Sequence, residues 1–116
     1  MEHTVENKSF SFAVRIVNLS RYLNVEKKEY TLSKQLLKSG TSIGANISEA
    51  EQAQSRADFR SKLGIALKEA VETDYWIRLL YATGFMTLQE FQSIQSDCKE
   101  IEKMLTSIIK SSKENE

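Results

Sequence analysis

The chain has 116 residues, a length at which one hydrophobic core can form without help from a metal or a disulfide. Sixteen basic residues balance sixteen acidic ones, so a strong overall attraction to nucleic acid or to an anionic membrane is excluded and only local patches remain. The single cysteine, Cys98, excludes an internal disulfide. No apolar run approaches the ~20 residues of a membrane helix, and MEHTVENKSF does not resemble a secretory signal. These features predict one cytoplasmic domain, without a membrane partner.

The composition also favours long helices, because proline is absent and only four glycines occur. The first helix is predicted over residues 8–24. It carries two neighbouring apolar stripes, whereas a helix on the outside of a lone bundle needs only one. The second stripe therefore suggests a further contact, such as a neighbouring subunit. The stripes are Phe10, Ala13, Val14 and Val17 in one, and Phe12, Ile16, Leu19 and Leu23 in the other.

The second helix is predicted over residues 31–52, after the polar turn NVEKKE. Gly40 and Gly44 lie one turn apart on its apolar side. Each costs about 1 kcal/mol relative to alanine within a helix. They indicate either a close approach by another backbone or simple tolerance of glycine. The predicted buried residues are Leu32, Leu36, Gly40, Ile43, Ile47 and Ala50.

The third and fourth helices are predicted over residues 56–83 and 88–111, each after a capping-box pattern. Ser55 with Asp58 precedes one helix and Thr87 with Glu90 precedes the other, while Gly84 is suited to end the third. We expect the tail SSKENE to be frayed. Four long helices with short turns predict an all-α, antiparallel up-and-down four-helix bundle occupying residues 1–116. The fourth helix has a seam of Phe91, Ile94, Cys98, Ile101, Leu105 and Ile108.

A polar cluster between the second and third helices is the candidate for metal chemistry. Asn46 and Glu49 are three residues apart on one helix, as Glu69 and Glu72 are on the next. Oxygen ligands of this kind suit a hard cation such as Mg²⁺, but such side chains also commonly pair with lysines. The sole histidine, His3, leaves a ferritin-like di-iron site without its ligands.

Catalytic and nucleotide-binding motifs are not apparent in the sequence. Cys98 has no histidine to act as its base and is expected to pack as a small hydrophobe. The segment SGTSIGANISEA matches neither a phosphate-binding loop nor a dinucleotide fingerprint. We therefore expect a protein that is not an enzyme and that needs no cofactor.

Four lysines form the candidate nucleic-acid surface, because phosphate contacts require little more than clustered cations. Lys27 and Lys28 lie in the first turn, and Lys34 and Lys38 follow on the second helix. The alternative is an ordinary solvated surface, since acidic neighbours dilute the patch. Trp76, beside Tyr75, is likewise either an anchor for a partner or a core residue.

Two segments of the chain resemble a known family. LLKSGTSIGANISEA, residues 36–50, is similar to the signature of the bacterial four-helix-bundle proteins encoded by intervening sequences in 23S ribosomal RNA genes, although Ala50 replaces the usual glycine. IALKEAVETDYWIRLL, residues 65–80, is similar to the third helix of that family. The matching signature residues are Lys38, Ser39, Gly40, Ser42, Ile43, Asn46, Ile47 and Glu49.

The resemblance implies a ring-forming bundle, commonly a homopentamer, without known enzymatic activity. A related branch, the accessory variability proteins of diversity-generating retroelements, forms basic rings that bind RNA and reverse transcriptase. The neutral charge of this chain departs from that branch. The leading hypothesis is a homo-oligomeric, pentameric scaffold or adaptor that binds RNA or a nucleic-acid enzyme. The alternatives are a purely structural self-assembling protein and a metal-dependent enzyme using Glu49, Glu69 and Glu72.

Overall fold

The fold is an antiparallel bundle of four α-helices in the part of the chain that the structure, a computed structural model, describes, residues 4–115. The helices are α1 (Val5–Val25), α2 (Thr31–Ala50), α3 (Arg56–Ala82) and α4 (Leu88–Glu114). Each packs against the next along the chain, and α1 also contacts α4, so the bundle is closed. This arrangement confirms the predicted fold class. No described helix is long and apolar enough to cross a membrane.

Side chains that cap free backbone amides determine where the helices begin. Thr4 accepts a hydrogen bond from the amide of Asn7, which starts α1 three residues before the predicted position. Thr87 and Glu90 form the complete predicted capping box of α4. The box predicted for α3 is only half formed. Ser55 accepts from the Asp58 amide, but the Asp58 carboxylate accepts from Gln54 instead of Ser55.

The C-terminal boundaries differ slightly from the predictions. Helix α2 ends at Ala50, two residues before the predicted end, and the chain then turns. Gly84 has a φ of 89°, the left-handed conformation that was predicted to follow α3. Helix α4 continues to Glu114, so the prediction that the tail is frayed from residue 111 is wrong for residues 111–114.

The core contains one stripe from each helix. In α1 the stripe with Phe12, Ile16 and Leu23 is buried, while Phe10 and Val14 remain at the surface. The predicted seam of α4 is correct in its centre, and its end residues Phe91 and Ile108 are partly buried. The four central residues, all buried, are Ile94, Cys98, Ile101 and Leu105.

The two glycines of α2 allow α1 to approach closely. A Cβ atom on Gly40 would lie 2.8 Å from Cγ2 of Ile16, a distance too short for any real contact. A Cβ on Gly44 would lie 3.4 Å from the Ser9 hydroxyl and 3.5 Å from the Ser9 carbonyl oxygen. The predicted approach by another backbone is therefore not found at Gly40, where the close neighbour is the Ile16 side chain, whereas at Gly44 the Ser9 backbone lies at ordinary contact distance.

Candidate functional site

The turn between α1 and α2 presents Lys27 and Lys28 to solvent. Lys28 has a φ of 54°, a left-handed conformation that reverses the chain within a short turn. The carboxylate of Glu29 accepts hydrogen bonds from the backbone amides of Leu32 and Ser33, at 3.1 and 2.8 Å. The N-terminus of α2 thus offsets this negative charge. Glu29 therefore weakens the attraction of the turn for anions less than its position in the sequence indicates.

Lys34 and Lys38 are both exposed on α2, but they differ in their surroundings. Lys38 lies close enough to Glu69 of α3 for its charge to favour the ionised carboxylate. Lys34 is placed nearer to the turn. Among the four predicted lysines, Lys27, Lys28 and Lys34 therefore belong to one end of the bundle, and Lys38 faces an acidic neighbour.

The structure adds one cation and two aromatic rings to this end of the bundle. The Ser20 hydroxyl reaches the carbonyl oxygen of Ser33 across α1 and α2, which places the next residues, Arg21 and Lys34, at the same level. Tyr22 and Tyr30 are 42% and 59% exposed, and the Lys27 ammonium lies 5.9 Å from the centre of the Tyr22 ring.

The sequence analysis did not assign Arg21, Tyr22 and Tyr30 to this surface, because a helical pattern alone does not show which residues of α1 lie beside the start of α2. We call the complete set the basic turn. It consists of Arg21, Tyr22, Lys27, Lys28, Tyr30 and Lys34.

The predicted polar cluster between α2 and α3 does not converge on one point. The Asn46 side-chain amide donates to the backbone carbonyl of Ser42, at 2.9 Å. Glu49 lies 3.5 Å from the ammonium of Lys62. Both residues thus have the ordinary local partners that the alternative interpretation anticipated.

The two remaining carboxylates of the cluster lie further along α3. Glu72 accepts a hydrogen bond from the indole nitrogen of Trp76, at 3.0 Å. Burial, followed by the nearby charge of Glu72, raises the pKa of Glu69. Within residues 4–115, no group of three or more His, Cys, Asp or Glu residues could hold a metal ion, and His3 lies outside that range. The proposed Glu49, Glu69 and Glu72 site therefore does not form, because Glu49 is paired away from the other two.

Cys98 lies in the core between α3 and α4. Its thiol is 3.3 Å from the carbonyl oxygen of Ala70. Burial, together with the carboxylates of Glu102 and Asp74, raises the pKa of the thiol to about 12. A thiol that remains protonated is a poor nucleophile, and Cys98 packs as a small apolar residue.

A groove runs along the surface between α1 and α2, and its volume is about 490 Å³. Small side chains line it, among them Ala13, Gly44 and Ala45. Phe10 stands at its edge with 72% of its surface exposed, and Val14, one turn further along α1, is 47% exposed. We call this surface the α1–α2 groove. Phe10 and Val14, two residues of the α1 stripe that does not enter the core, therefore remain uncovered in a single copy.

Two carboxylates lie at the end of the α1–α2 groove. Glu6 of α1 and Glu51, just after α2, both line it. A hydrogen bond that the Glu6 carboxylate accepts from the protonated Glu51 carboxyl is the main cause of a raised pKa at Glu51. Two acidic groups in such proximity favour a cation between or beside them.

A second uncovered surface lies on α3, opposite its buried side. Ile65 and Tyr75 are 41% and 49% exposed. Trp76 is partly buried against the core and meets the Tyr75 ring edge-on, with the ring centres 5.0 Å apart. We call this surface the α3 outer face, and it consists of Ile65, Lys68, Glu72, Tyr75 and Leu79.

The family-signature segment, residues 36–50, mainly packs α2 against the neighbouring helices. Ser39, Gly40, Ile43, Ile47 and Ala50 are all buried. The Ser39 hydroxyl forms a hydrogen bond of 2.9 Å with the Thr73 hydroxyl of α3. The segment therefore joins α2 to both α1 and α3.

Comparison with known proteins gives two positive findings. A crystal structure of a protein of unknown function from the S23 ribosomal protein family of Bacteroides thetaiotaomicron VPI-5482 is 62% identical and superimposes with a TM-score of 0.92. The match covers 92% of this chain and 99% of that one. Curated proteins give no match. The relation to the accessory variability proteins stays a prediction. The model of the 23S rRNA-intervening sequence protein family matches residues 1–107, and the chain belongs to that family.

Proposed function

We propose that the chain is a non-catalytic, homo-oligomeric scaffold that binds single-stranded RNA through the basic turn. A ring of five copies is the assembly that the family resemblance favours. The observation that carries the RNA proposal is the grouping of four cations with two exposed tyrosines at one end of the bundle.

The chemistry of the basic turn suits a flexible RNA strand. Lysine and arginine contact phosphates without regard to sequence, and exposed tyrosines offer flat surfaces on which bases stack. Glu29 weakens this surface little, since its carboxylate caps α2. The basic turn therefore combines the two kinds of contact that single-stranded nucleic acid uses.

Self-association would compensate for the neutral charge of each copy. With a formal net charge of +0, one chain has no general attraction for RNA, and a single basic turn provides only a few phosphate contacts. Copies arranged by symmetry present several basic turns to one strand, so that weak contacts reinforce each other. An assembled scaffold should therefore bind RNA much more tightly than a monomer does.

Fluorescence anisotropy with a labelled single-stranded RNA tests the proposal. The variant Lys27→Glu/Lys28→Glu/Lys34→Glu should lose at least tenfold in affinity at low salt, and its binding should depend less steeply on salt. The matched control, Lys103→Glu/Lys110→Glu/Lys113→Glu, makes the same charge change on exposed positions of α4. It should keep most of the affinity.

Light scattering on the same samples separates the two parts of the proposal. An assembled protein that binds no RNA at low salt would favour the purely structural alternative and direct attention to protein partners. Equal losses in the variant and in its control would show that overall charge, and not the basic turn, governs binding.

A further inference from the structure

The α1–α2 groove and the α3 outer face are two apolar surfaces on different sides of one bundle. We infer that the α1–α2 groove of one copy binds the α3 outer face of a second copy. This inference rests on the proposed self-association and adds the two surfaces that produce it. The occupant is a second copy because the two surfaces complement each other in level, in shape and in charge.

The two surfaces lie at the same level along the bundle. Gly40 of α2 faces Ile16 of α1, and the adjacent Ser39 bonds Thr73 of α3. Ile16 and Thr73 are therefore nearly level, and α1 and α3 run in the same direction. Counting residues back from Ile16 along α1 and from Thr73 along α3 shows that Phe10 and Val14 lie at levels between those of Ile65 and Tyr75. Two copies related by a rotation about an axis parallel to the bundle would bring these surfaces together without a shift along that axis.

The shapes of the two surfaces also match. The α1–α2 groove is lined by small residues such as Gly44 and Ala45, with Phe10 projecting at its edge. The α3 outer face offers larger side chains, Ile65 and Tyr75, each about half exposed. Placing these side chains against the groove would remove Phe10, the most exposed large apolar side chain among the described residues, from water.

At the end of the contact where the acidic pair lies, the charges are of opposite sign, while Glu72 of the α3 outer face lies one helical turn further away than Lys68. Glu6 and Glu51 lie together at one end of the α1–α2 groove, and the α3 outer face carries the exposed cation Lys68. By the same counting, Lys68 lies about five residues, or ~7.5 Å, from the level of Glu6. Its long side chain leans towards the N-terminus of α3, which is the end of the bundle where the two carboxylates lie. Lys68 of a second copy can therefore approach the acidic pair.

The positions of the surfaces determine what kind of assembly forms. They are different surfaces, so the contact is head-to-tail and each added copy leaves a free surface for the next. Because α3 is diagonally opposite α1 in the bundle, the surfaces point obliquely apart, neither in the same direction nor in opposite directions. Repeated addition at an oblique angle without a rise leads to a closed ring, whereas a rise would lead to a filament.

Two charge-introducing variants and a control test this inference by light scattering. Phe10→Glu/Val14→Glu alters the α1–α2 groove, and Ile65→Glu/Tyr75→Glu alters the α3 outer face. Each variant alone should be a monomer of 13.3 kDa. The control, Val25→Glu/Leu88→Glu, changes two similarly exposed apolar residues outside both surfaces and should keep the mass of the unmodified assembly.

Mixing the two variants gives the decisive result. The groove variant keeps an intact α3 outer face, and the α3 variant keeps an intact α1–α2 groove. These two intact surfaces can form only one contact, so an equimolar mixture should form a dimer of twice the single-chain mass and no larger species. If only the groove variant dissociates, the groove pairs with itself and the inference is wrong while self-association stands. A mixture that stays monomeric also contradicts it.

The remaining outcomes are equally specific. An unmodified chain that is itself a monomer contradicts the proposed function and not only the choice of surfaces. Circular dichroism must show that each variant keeps its helices. Should a glutamate variant unfold, the milder pairs Phe10→Ser/Val14→Ser and Ile65→Ser/Tyr75→Ser replace it, with the same expected masses.

Discussion

The Ser39 hydroxyl of α2 lies 2.9 Å from the Thr73 hydroxyl of α3, and both side chains are almost completely buried. Thr73 also reaches the carbonyl oxygen of Glu69, at 2.7 Å. This pair is the polar contact in the middle of the α2–α3 interface, and Ser39 belongs to the family-signature segment. The burial of Ser39 indicates that this serine of the signature serves packing between helices and not ligand binding.

Removing both hydroxyls of this pair should cost less than the sum of the two single removals. Thr73→Val keeps the shape of the side chain but leaves Ser39 only its long bond, 3.5 Å, to the Leu36 carbonyl oxygen, and we expect a loss of about 1–3 kcal/mol in the free energy of unfolding. The double variant Thr73→Val/Ser39→Ala should lose less than the sum of the two single variants. Urea unfolding of all four proteins at one protein concentration measures this difference. Strictly additive losses would show that the two hydroxyls do not interact.

Gly40 and Gly64 give a matched pair of glycine substitutions. Gly40→Ala would force a methyl group against Ile16, so it should destabilise the protein by about 1–3 kcal/mol through overpacking. A Cβ on Gly64 meets no atom within 4 Å, and Gly64→Ala should instead stabilise α3 by about 0.5–1 kcal/mol. Thermal unfolding of both variants should therefore give shifts of opposite sign. Shifts of the same sign would contradict the close approach of α1 and α2.

Much of the fold could be predicted from the sequence, because the information is local. The spacing of apolar residues identified the four helices, and the complete capping box at Thr87 and Glu90 located the start of α4. The errors lie at the boundaries. Asp58 has two backbone amides within reach and bonds that of Gln54, and nothing in the local sequence distinguishes these partners. The last turn of α4 forms although its residues are polar.

The candidate sites were less predictable, because they depend on contacts between helices. Spacing placed Glu69 and Glu72 on one helix side, but it could not show that Glu49 pairs with Lys62 instead of joining them. Spacing also could not place Arg21 at the level of Lys34, since that depends on the register of α1 against α2. The exposed stripe with Phe10 was predictable, because its apolar residues exceed what one bundle can bury.

Ile101 tests the predicted seam of α4. Its side chain is completely buried, at 0% exposure, in the centre of the core. Ile101→Ala should therefore cost about 2–5 kcal/mol in the free energy of unfolding, through lost burial and a residual cavity. Exposed Thr106 on the same helix provides a control, and Thr106→Ala should change the stability by less than about 0.5 kcal/mol. Denaturant unfolding monitored by circular dichroism compares the two. Similar effects at both positions would contradict the register of α4.

The contact between α1 and α4 depends on Asp97, which joins two cations of α1. Its carboxylate lies 3.0 Å from the Lys8 ammonium and 2.6 Å from the Arg15 guanidinium. Burial opposes the charge, but hydrogen bonds from Arg15 and Lys8 prevail and lower the pKa of Asp97 below its ordinary value of 3.8. Lys8 has a raised pKa, since its bonds to Asp97 and Glu100 outweigh the effect of burial.

These shifts predict how stability depends on pH. The unfolded chain binds a proton at Asp97 more readily than the folded chain does, so this contribution is present above pH ~4 and decreases as the pH falls through the folded pKa. For Lys8 the sign is reversed, and its contribution decreases as the pH rises above its ordinary pKa of 10.5. The carboxylate is partly exposed, at 26%, so salt should weaken both contributions.

The variant Asp97→Asn separates this contact from the other carboxylates. It should be less stable than the unmodified protein near pH 7, and the difference should shrink as the pH falls below the ordinary pKa of 3.8, because the unfolded chain then binds a proton at Asp97 more readily than the folded chain does. Lys103→Gln, an exposed charge removal elsewhere on α4, serves as the control and should leave the acid dependence unchanged. Urea titrations between pH 3 and pH 7 measure the differences. If the Asp97→Asn deficit is constant with pH, the charge of Asp97 does not stabilise the α1–α4 contact, and the side chain acts there only through its shape.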